Sequence, residues 1–283
     1  MSGPTLAAVE LRCPKFDESR AFFTDVLGLV ESDADEQTSY LRCVGESAHA
    51  SVVLRRDARA GLAALVLASS SAHNGNDAGT WPQRTCDGHT IRVVPQRKRS
   101  EPYGGERLIL NQPTPLRGIG VEPRRLAHVG LVVSEPQAAA DWWSEHLGYE
   151  LRESVEDEHG ALLSTVAVTS ASCDVMLVRH ASAPSGAFHH VAFAVDQRDR
   201  IADAALYFAE LAVPIEVGLG QHGVGQLSYL YAFEPSGNRI ALVQSPLVWE
   251  PDSAPVHWSA ETWPRALWLW GAPPPASFFE VNT

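Results

Sequence analysis

Five side chains of this sequence are of types that do chemistry and stand in segments able to hold them still: His128, His190, His222, Tyr231 and Cys173. His128 lies in Leu126-Ala127-His128-Val129-Gly130-Leu131 and His190 in Phe188-His189-His190-Val191-Ala192-Phe193, apolar runs that read as strands. A neutral imidazole there can ligate a metal or carry a proton, because it titrates near neutral pH. A lone histidine on a strand is more often a satisfied core residue. His222 opens a His-Gly turn, Tyr231 precedes the turn Pro235-Ser236-Gly237, and Cys173 stands just before Asp174 at the start of another strand. An unperturbed thiol, with a pKa of ~8.5, is mostly protonated at pH 7 and becomes a nucleophile only where something stabilises its thiolate, such as an imidazolium. His189 is expected to be a neighbour or surface residue, since adjacent strand residues point to opposite faces.

The elements that must position these groups show up as an internal repeat. Leu6-Ala7-Ala8-Val9-Glu10-Leu11, then Phe22-Phe23 and Leu27-Gly28-Leu29, is echoed by Leu126 to Leu131, Trp142-Trp143 and Leu147-Gly148-Tyr149, and the spacing from Ala8 to Gly28 equals that from His128 to Gly148. Each copy reads as a strand, an amphipathic helix whose paired aromatics face the sheet, and a glycine that ends the helix. Ser39–Val44 and Ala50–Arg55 correspond to Ala161–Thr169 and Asp174–Arg179, β-branched or alternating as antiparallel strands are. Asp87-Gly88-His89 and Ser236-Gly237-Asn238 are turns leading into short apolar strands. In the second copy the strand Phe188–Val195 leads to a helix from about Arg198 to Leu211. In the first, Ser69–Gly79 is too polar and short for one, so that module is trimmed. The expected architecture is α+β, with two tandem βαβββ-type modules over residues 1–118 and 119–283, joined through the proline-containing segment Leu110–Pro123.

Composition excludes several classes of function. Over 283 residues, 45% are apolar and 20% charged, the balance of a globular protein. A net charge of -12 argues against nucleic acid, which demands clustered Lys and Arg; the basic run Gln96-Arg97-Lys98-Arg99 reads as a solvated turn. No apolar stretch reaches the ~20 residues of a membrane span and no secretory leader opens the chain, so a cytoplasmic protein is expected. The cysteines Cys13, Cys43, Cys86 and Cys173 are scattered without C-x-x-C spacing, which argues against disulfide staples and structural zinc.

Taken in order, Phe188-His189-His190-Val191-Ala192-Phe193, Gln221-His222-Gly223 and Tyr231-Ala232-Phe233-Glu234-Pro235-Ser236-Gly237-Asn238-Arg239 resemble the vicinal oxygen chelate superfamily, and within it the type I extradiol dioxygenases of the catechol 2,3-dioxygenase kind. The resemblance runs through essentially the whole chain, including the aromatic tail from Trp249 to Trp258. It implies that His128 and His190 are ligands of Fe(II) or another divalent metal and that His222 and Tyr231 contact substrate and oxygen. It also implies a homo-oligomer and an aromatic small-molecule substrate. The first module would serve as scaffold, Ala8 and Arg92 standing where its ligands would be.

Two positions depart from that pattern. The family's third ligand is a glutamate two residues after the Arg of Gly-Asn-Arg, where this chain has Ala241, and its acid–base histidine is replaced by Cys173. Without the carboxylate a bound ion keeps its full double charge and loses an anchor, which weakens binding unless an external anion or the substrate fills the gap. Three readings follow: an enzyme that has left ring cleavage for isomerase, lyase, hydrolase or unusual oxygenase chemistry; a true dioxygenase completed by Gln244, Glu280 or water; or a non-catalytic binder of the bleomycin-resistance type.

Overall fold

The computed structural model describes residues 3–70, 81–96, 117–180, 184–250 and 252–283. The basic residues 97–99, segment 71–79 and linker residues 110–116 lie outside them. The first module runs β1 (Thr5–Cys13), α1 (Phe16–Ala21), β2 (Val30–Ala34), β3 (Thr38–Arg42), β4 (Val52–Arg56), β5 (Gly61–Ser69) and β6 (Ile91–Pro95). The second runs β7 (Arg125–Val133), α2 (Pro136–Leu147), β8 (Glu150–Asp157), β9 (Gly160–Ala167), β10 (Val175–Arg179), β11 (Phe188–Ala194), α3 (Asp199–Glu210), β12 (Ile215–Gln221), β13 (Ser228–Phe233) and β14 (Arg239–Gln244). A tail of β15 (Val256–Trp258), α4 (Trp263–Leu267) and α5 (Ala276–Glu280) follows.

The repeat is visible in strand order. The first sheet reads β2-β3-β4-β1-β5-β6, and the second contains β8-β9-β10-β7-β11-β14, the same order, extended by β13 and β12 at one edge and β15 at the other. Orientations repeat as well: β1–β4 and β7–β10 are parallel, β1–β5 and β7–β11 antiparallel, β5–β6 and β11–β14 parallel. This is the expected α+β architecture. Strand β3 stops at Arg42, short of Val44, whose N–H leaves the sheet for the carbonyl of Pro123 at 3.2 Å.

Alternation along the strands of the second sheet separates two faces. On β13, Leu230 and Ala232 join the main core while Tyr229 and Tyr231 join a second cluster; on β14, Ile240 and Leu242 divide from Ala241 and Val243 in the same way. The main core is shared by both modules. The paired aromatics behave differently from the expectation that each pair faces its sheet. After α1 the chain widens into a π turn over Phe22–Val26, and Phe22 packs on Phe208 of α3 and Phe23 on Phe193 of β11, so the pair grips the other module. In the regular helix α2 consecutive side chains diverge, so Trp143 is buried against Tyr149 whereas Trp142 stacks on His146. Gly148 ends α2 in the left-handed conformation, φ 70°, as the Leu-Gly pattern predicts.

Strands β8 and β12 carry little sequence signal. The first is rich in charge and the second in glycine, and each owes its place to neighbours: β9 and β15 pair with β8, and β13 with β12.

Candidate active site

Cross-strand register sets four residues of the second face in one row: His128 on β7 pairs with Ala192 on β11, Ala192 with Ala241 on β14, and Ala241 with Tyr231 on β13. His190 lies two residues before Ala192 and so projects from the same face. Its Nε2 stands 3.0 Å from Nε2 of His128, the rings nearly perpendicular, and both side chains are buried. The ring of His190 has room because the residue opposite is Gly130; a Cβ there would overlap Nδ1 and Cε1 of His190. Gly130→Ala is therefore expected to cost about 1–3 kcal/mol through overpacking. It should also break the contact between the two imidazoles, which histidine-selective NMR of the variant would report as altered ring resonances. An unperturbed spectrum with unchanged stability would show that the ring is not confined by this glycine.

His189 departs from strand alternation. The register of β11 on β7 slips between Phe188 and His190, and this bulge turns His189 inward, where its Nδ1 lies 2.7 Å from Nδ1 of His190. The surface placement weighed for it is thus replaced by a buried contact with the neighbouring imidazole. The Nε2–H of His189 donates to the carbonyl of Phe278 in α5 at 3.2 Å, so its Nδ1 must accept, and His190 donates through Nδ1–H. The Nε2 lone pair of His190 is then directed at His128. Burial, reinforced by neighbouring charges, holds both imidazoles neutral: His128 is pushed down to about 3 and His190 well below the usual range.

His222 and Tyr231 form a second couple. His222 Nδ1–H donates to the carbonyl of Leu267 in α4, which leaves Nε2 to accept from the Tyr231 hydroxyl at 3.1 Å. The His222 ring stacks on Tyr229 at 4.0 Å. Burial pushes His222 down to about 4 and raises Tyr231, so the pair is neutral at physiological pH.

Cys173 sits buried at the entry to β10, and burial together with Asp174 and Glu153 raises its thiol well above the ordinary value. Of the two readings open for Cys173, a packed thiol or a thiolate stabilised by an imidazolium, the surroundings favour the first: it packs with Met176, Val224 and Leu267 as a neutral thiol. Ala241 is fully buried among Ala192, Tyr231, Val243 and Phe278. The substitute ligands do not move in. The β13–β14 register is regular from Ser228↔Gln244 to Phe233↔Arg239, without the slip Gln244 would need, and Glu280 is exposed.

For a metal the arrangement is half complete. Two imidazole nitrogens 3.0 Å apart would both be within reach of one ion at ~2.0–2.1 Å, so His128 and His190 are the residues that would hold it. Among the described residues, however, no group of three or more His, Cys, Asp or Glu is placed to hold a metal. The described residues bring two imidazole nitrogens together without a third such donor beside them.

Sequence reasoning also missed the frame around these groups. Arg239 and Glu216 form a bidentate pair at 2.6 and 2.8 Å, both almost fully buried, and Arg239 donates further to the carbonyls of His189 and Ser277, each at 3.1 Å. Asn238 joins the modules, accepting from Gly61 N–H at 2.8 Å and donating to the Arg12 carbonyl at 3.1 Å. Glu153 accepts from Gly225 N–H at 2.6 Å and from the Trp258 indole at 2.9 Å, tying the His222 turn to the tail. Only Gly130, a small residue two positions from His128 on the same face, could have been picked out in advance.

Comparison with known proteins agrees with this fold. Residues 125–242 match the Glyoxalase/Bleomycin resistance protein/Dioxygenase superfamily. A metapyrocatechase from Geobacillus stearothermophilus is 27% identical over 95% of this chain and 93% of its own length. A manganese-dependent 2,3-dihydroxybiphenyl 1,2-dioxygenase from Geobacillus genomosp. 3 is 24% identical over 94% and 92%. A variant of homoprotocatechuate 2,3-dioxygenase from B. fuscum has the same fold, with a TM-score of 0.84 at 22% identity over 99% of this chain and 83% of that one. Residues 125–242 are thus similar to a glyoxalase-type domain. Over nearly its whole length the chain is similar to a metapyrocatechase and a 2,3-dihydroxybiphenyl 1,2-dioxygenase. No described helix is long and apolar enough to cross a membrane.

Proposed function

We propose that this chain is an enzyme of extradiol-dioxygenase descent that binds an aromatic, catecholic or enolisable small molecule and acts on it by proton transfer rather than by iron-anchored ring cleavage. Residues 1–118 serve as scaffold and 119–283 hold the site, in a cytoplasmic homo-oligomer. The observation that carries the reading is the row His128, Ala192, Ala241, Tyr231: two neutral imidazoles converge 3.0 Å apart, and Ala241, where the resemblance implies a carboxylate ligand, stands in the same row.

The chain's own groups support such chemistry. The hydroxyl of Tyr231 can turn from Nε2 of His222 to donate to a substrate oxygen as charge develops there, which frees the Nε2 lone pair of His222 to receive the proton that the substrate hydroxyl gives up. Burial holds His222 neutral in the resting site, so it accepts a hydrogen bond through Nε2 and takes up a proton only where a phenolate or enolate forming beside it offsets the cost of burying the charge. Cys173 as a neutral thiol can donate a hydrogen bond but does not take a proton. Any divalent ion, iron or manganese, would be weakly held by His128 and His190 until substrate oxygens completed its shell.

Anaerobic loading with Fe(II), followed by catechol and oxygen, tests the proposal. Little or no yellow ring-cleavage product is expected. Anaerobic 4-nitrocatechol should bind with loss of its phenolic proton, visible in its absorption, and His222→Ala should weaken that step. Rapid ring cleavage by the unmodified protein would establish the metal-completed dioxygenase instead. Tight 4-nitrocatechol binding that is indifferent to His222→Ala and without proton loss would establish a binding protein.

A further inference from the structure

The second sheet is open at one end, where β11 and β14 finish and β7 and β10 begin, and a cavity of about 220 Å³ lies there. His128 and Cys173 face into it, and Ala127, Leu227 and Val243 line its apolar wall. At that volume, below the ~300–1,000 Å³ of pockets for drug-sized ligands, the cavity suits a molecule of one ring. Its rim has a different character: Arg124 and Arg125 stand at the mouth together with Asp196 and Gln244.

The charge balance at this rim is positive in a protein whose net charge is -12. Arg124 Nε lies 3.4 Å from Asp196 Oδ1, a partly exposed pair whose two members both line the cavity. Arg125 adds a second positive charge near enough to His128 to help keep that imidazole neutral. Glu46, a carboxyl that feels the charge of Arg125, is pushed toward its neutral form by burial. An acidic protein with a basic mouth on one cavity focuses anions there and repels them elsewhere.

We propose that this cavity takes a single-ring aromatic carrying a carboxylate or comparable oxyanion, the ring against Ala127, Leu227 and Val243 and the charge against Arg124 and Arg125. The planar guanidinium matches a carboxylate with two parallel hydrogen bonds. In this pose the opposite edge of the ring points inward to His128 and Cys173. The inference names the substrate class for the site described above, yet it stands on binding alone and needs no turnover.

Calorimetric titration with benzoate and with benzamide, its uncharged counterpart of the same shape, tests it. Benzoate is expected to bind roughly tenfold or more tighter, the difference between a charge-assisted and a neutral hydrogen bond. Arg124→Gln and Arg125→Gln should each reduce that preference and together abolish it, with thermal stability unchanged because both side chains reach solvent. Gln244→Glu, which adds a negative charge at the rim, should weaken benzoate and spare benzamide. Equal affinity for the two probes, or a preference that survives the double arginine variant, would overturn the proposal. The 4-nitrocatechol experiment fails or succeeds independently of this one, since it reads proton loss at His222 rather than discrimination between a charged and an uncharged ring.

Discussion

Ala241→Glu is expected to make the stability of this protein depend on a divalent cation. The position is fully buried, flanked across the sheet by Ala192 and Tyr231 and covered by Val243 and Phe278. A carboxylate introduced there without a partner is desolvated, and a buried unpaired charge typically costs several kcal/mol or is protonated instead. The metal-free variant should therefore melt well below the parent protein. Mn(II) or Fe(II) reverses the sign, because His128 and His190 already converge at a separation that fits one ion and the new carboxylate completes the set. Binding to the folded state alone contributes about 4 kcal/mol at a thousandfold excess over the dissociation constant. Melting curves of both proteins with and without Mn(II) decide the matter: a large metal-dependent rise in the variant and a small one in the parent are expected. If the variant does not respond to metal, the alanine is not what keeps the site from closing. Ring cleavage of catechol should appear only when Cys173→His is added, since a thiol raised by burial cannot exchange protons near pH 7.

Mild acid should unfold the protein. His128, His180, His189, His190 and His222 are all buried, and each is pushed below its ordinary value, to about 3 for His128 and about 4 for His180 and His222. In the unfolded chain all five take up a proton as the pH falls through ~6.5. The folded chain does not, so unfolding gains protons and stability falls as pH is lowered from about 6.5 toward the folded values. Above that window the five are neutral in both states and contribute no slope. Each histidine accounts for at most ~1.4 kcal/mol per pH unit, so together they can remove a large share of the ~5–15 kcal/mol that holds a typical protein folded. Urea midpoints should be flat between pH 7 and 8 and drop steeply from pH 6.5 to 5. Midpoints that hold constant down to pH 5 would mean that these histidines do not enter the folded state neutral. Replacing His180, which packs on His189 rather than on His128 or His190, by Asn should flatten the slope by about one proton's worth.

The sequence carried the architecture because its signals are local or repeat at a fixed distance. Apolar alternation marked β7 and β11, a glycine marked the end of α2, and the equal spacing of the two copies anticipated the strand order that both sheets share. It also placed His128, Ala192, Ala241 and Tyr231 on strands, from which register alone arranges them in a row. What the sequence could not show is how those groups are protonated and enclosed. The tautomer of His222 depends on the carbonyl of Leu267, 45 residues away, and that of His190 on the carbonyl of Phe278, reached through His189 across 89 residues. The inward turn of His189 comes from a bulge in a pairing register, and the grip of Phe22 and Phe23 on the second module comes from a widened helical turn. Main-chain carbonyls are the same in every residue type, and burial is a property of everything packed around a group. Only the tertiary structure therefore decided that these histidines are neutral and that Cys173 stays a protonated thiol, and it alone set two arginines at the mouth of their cavity.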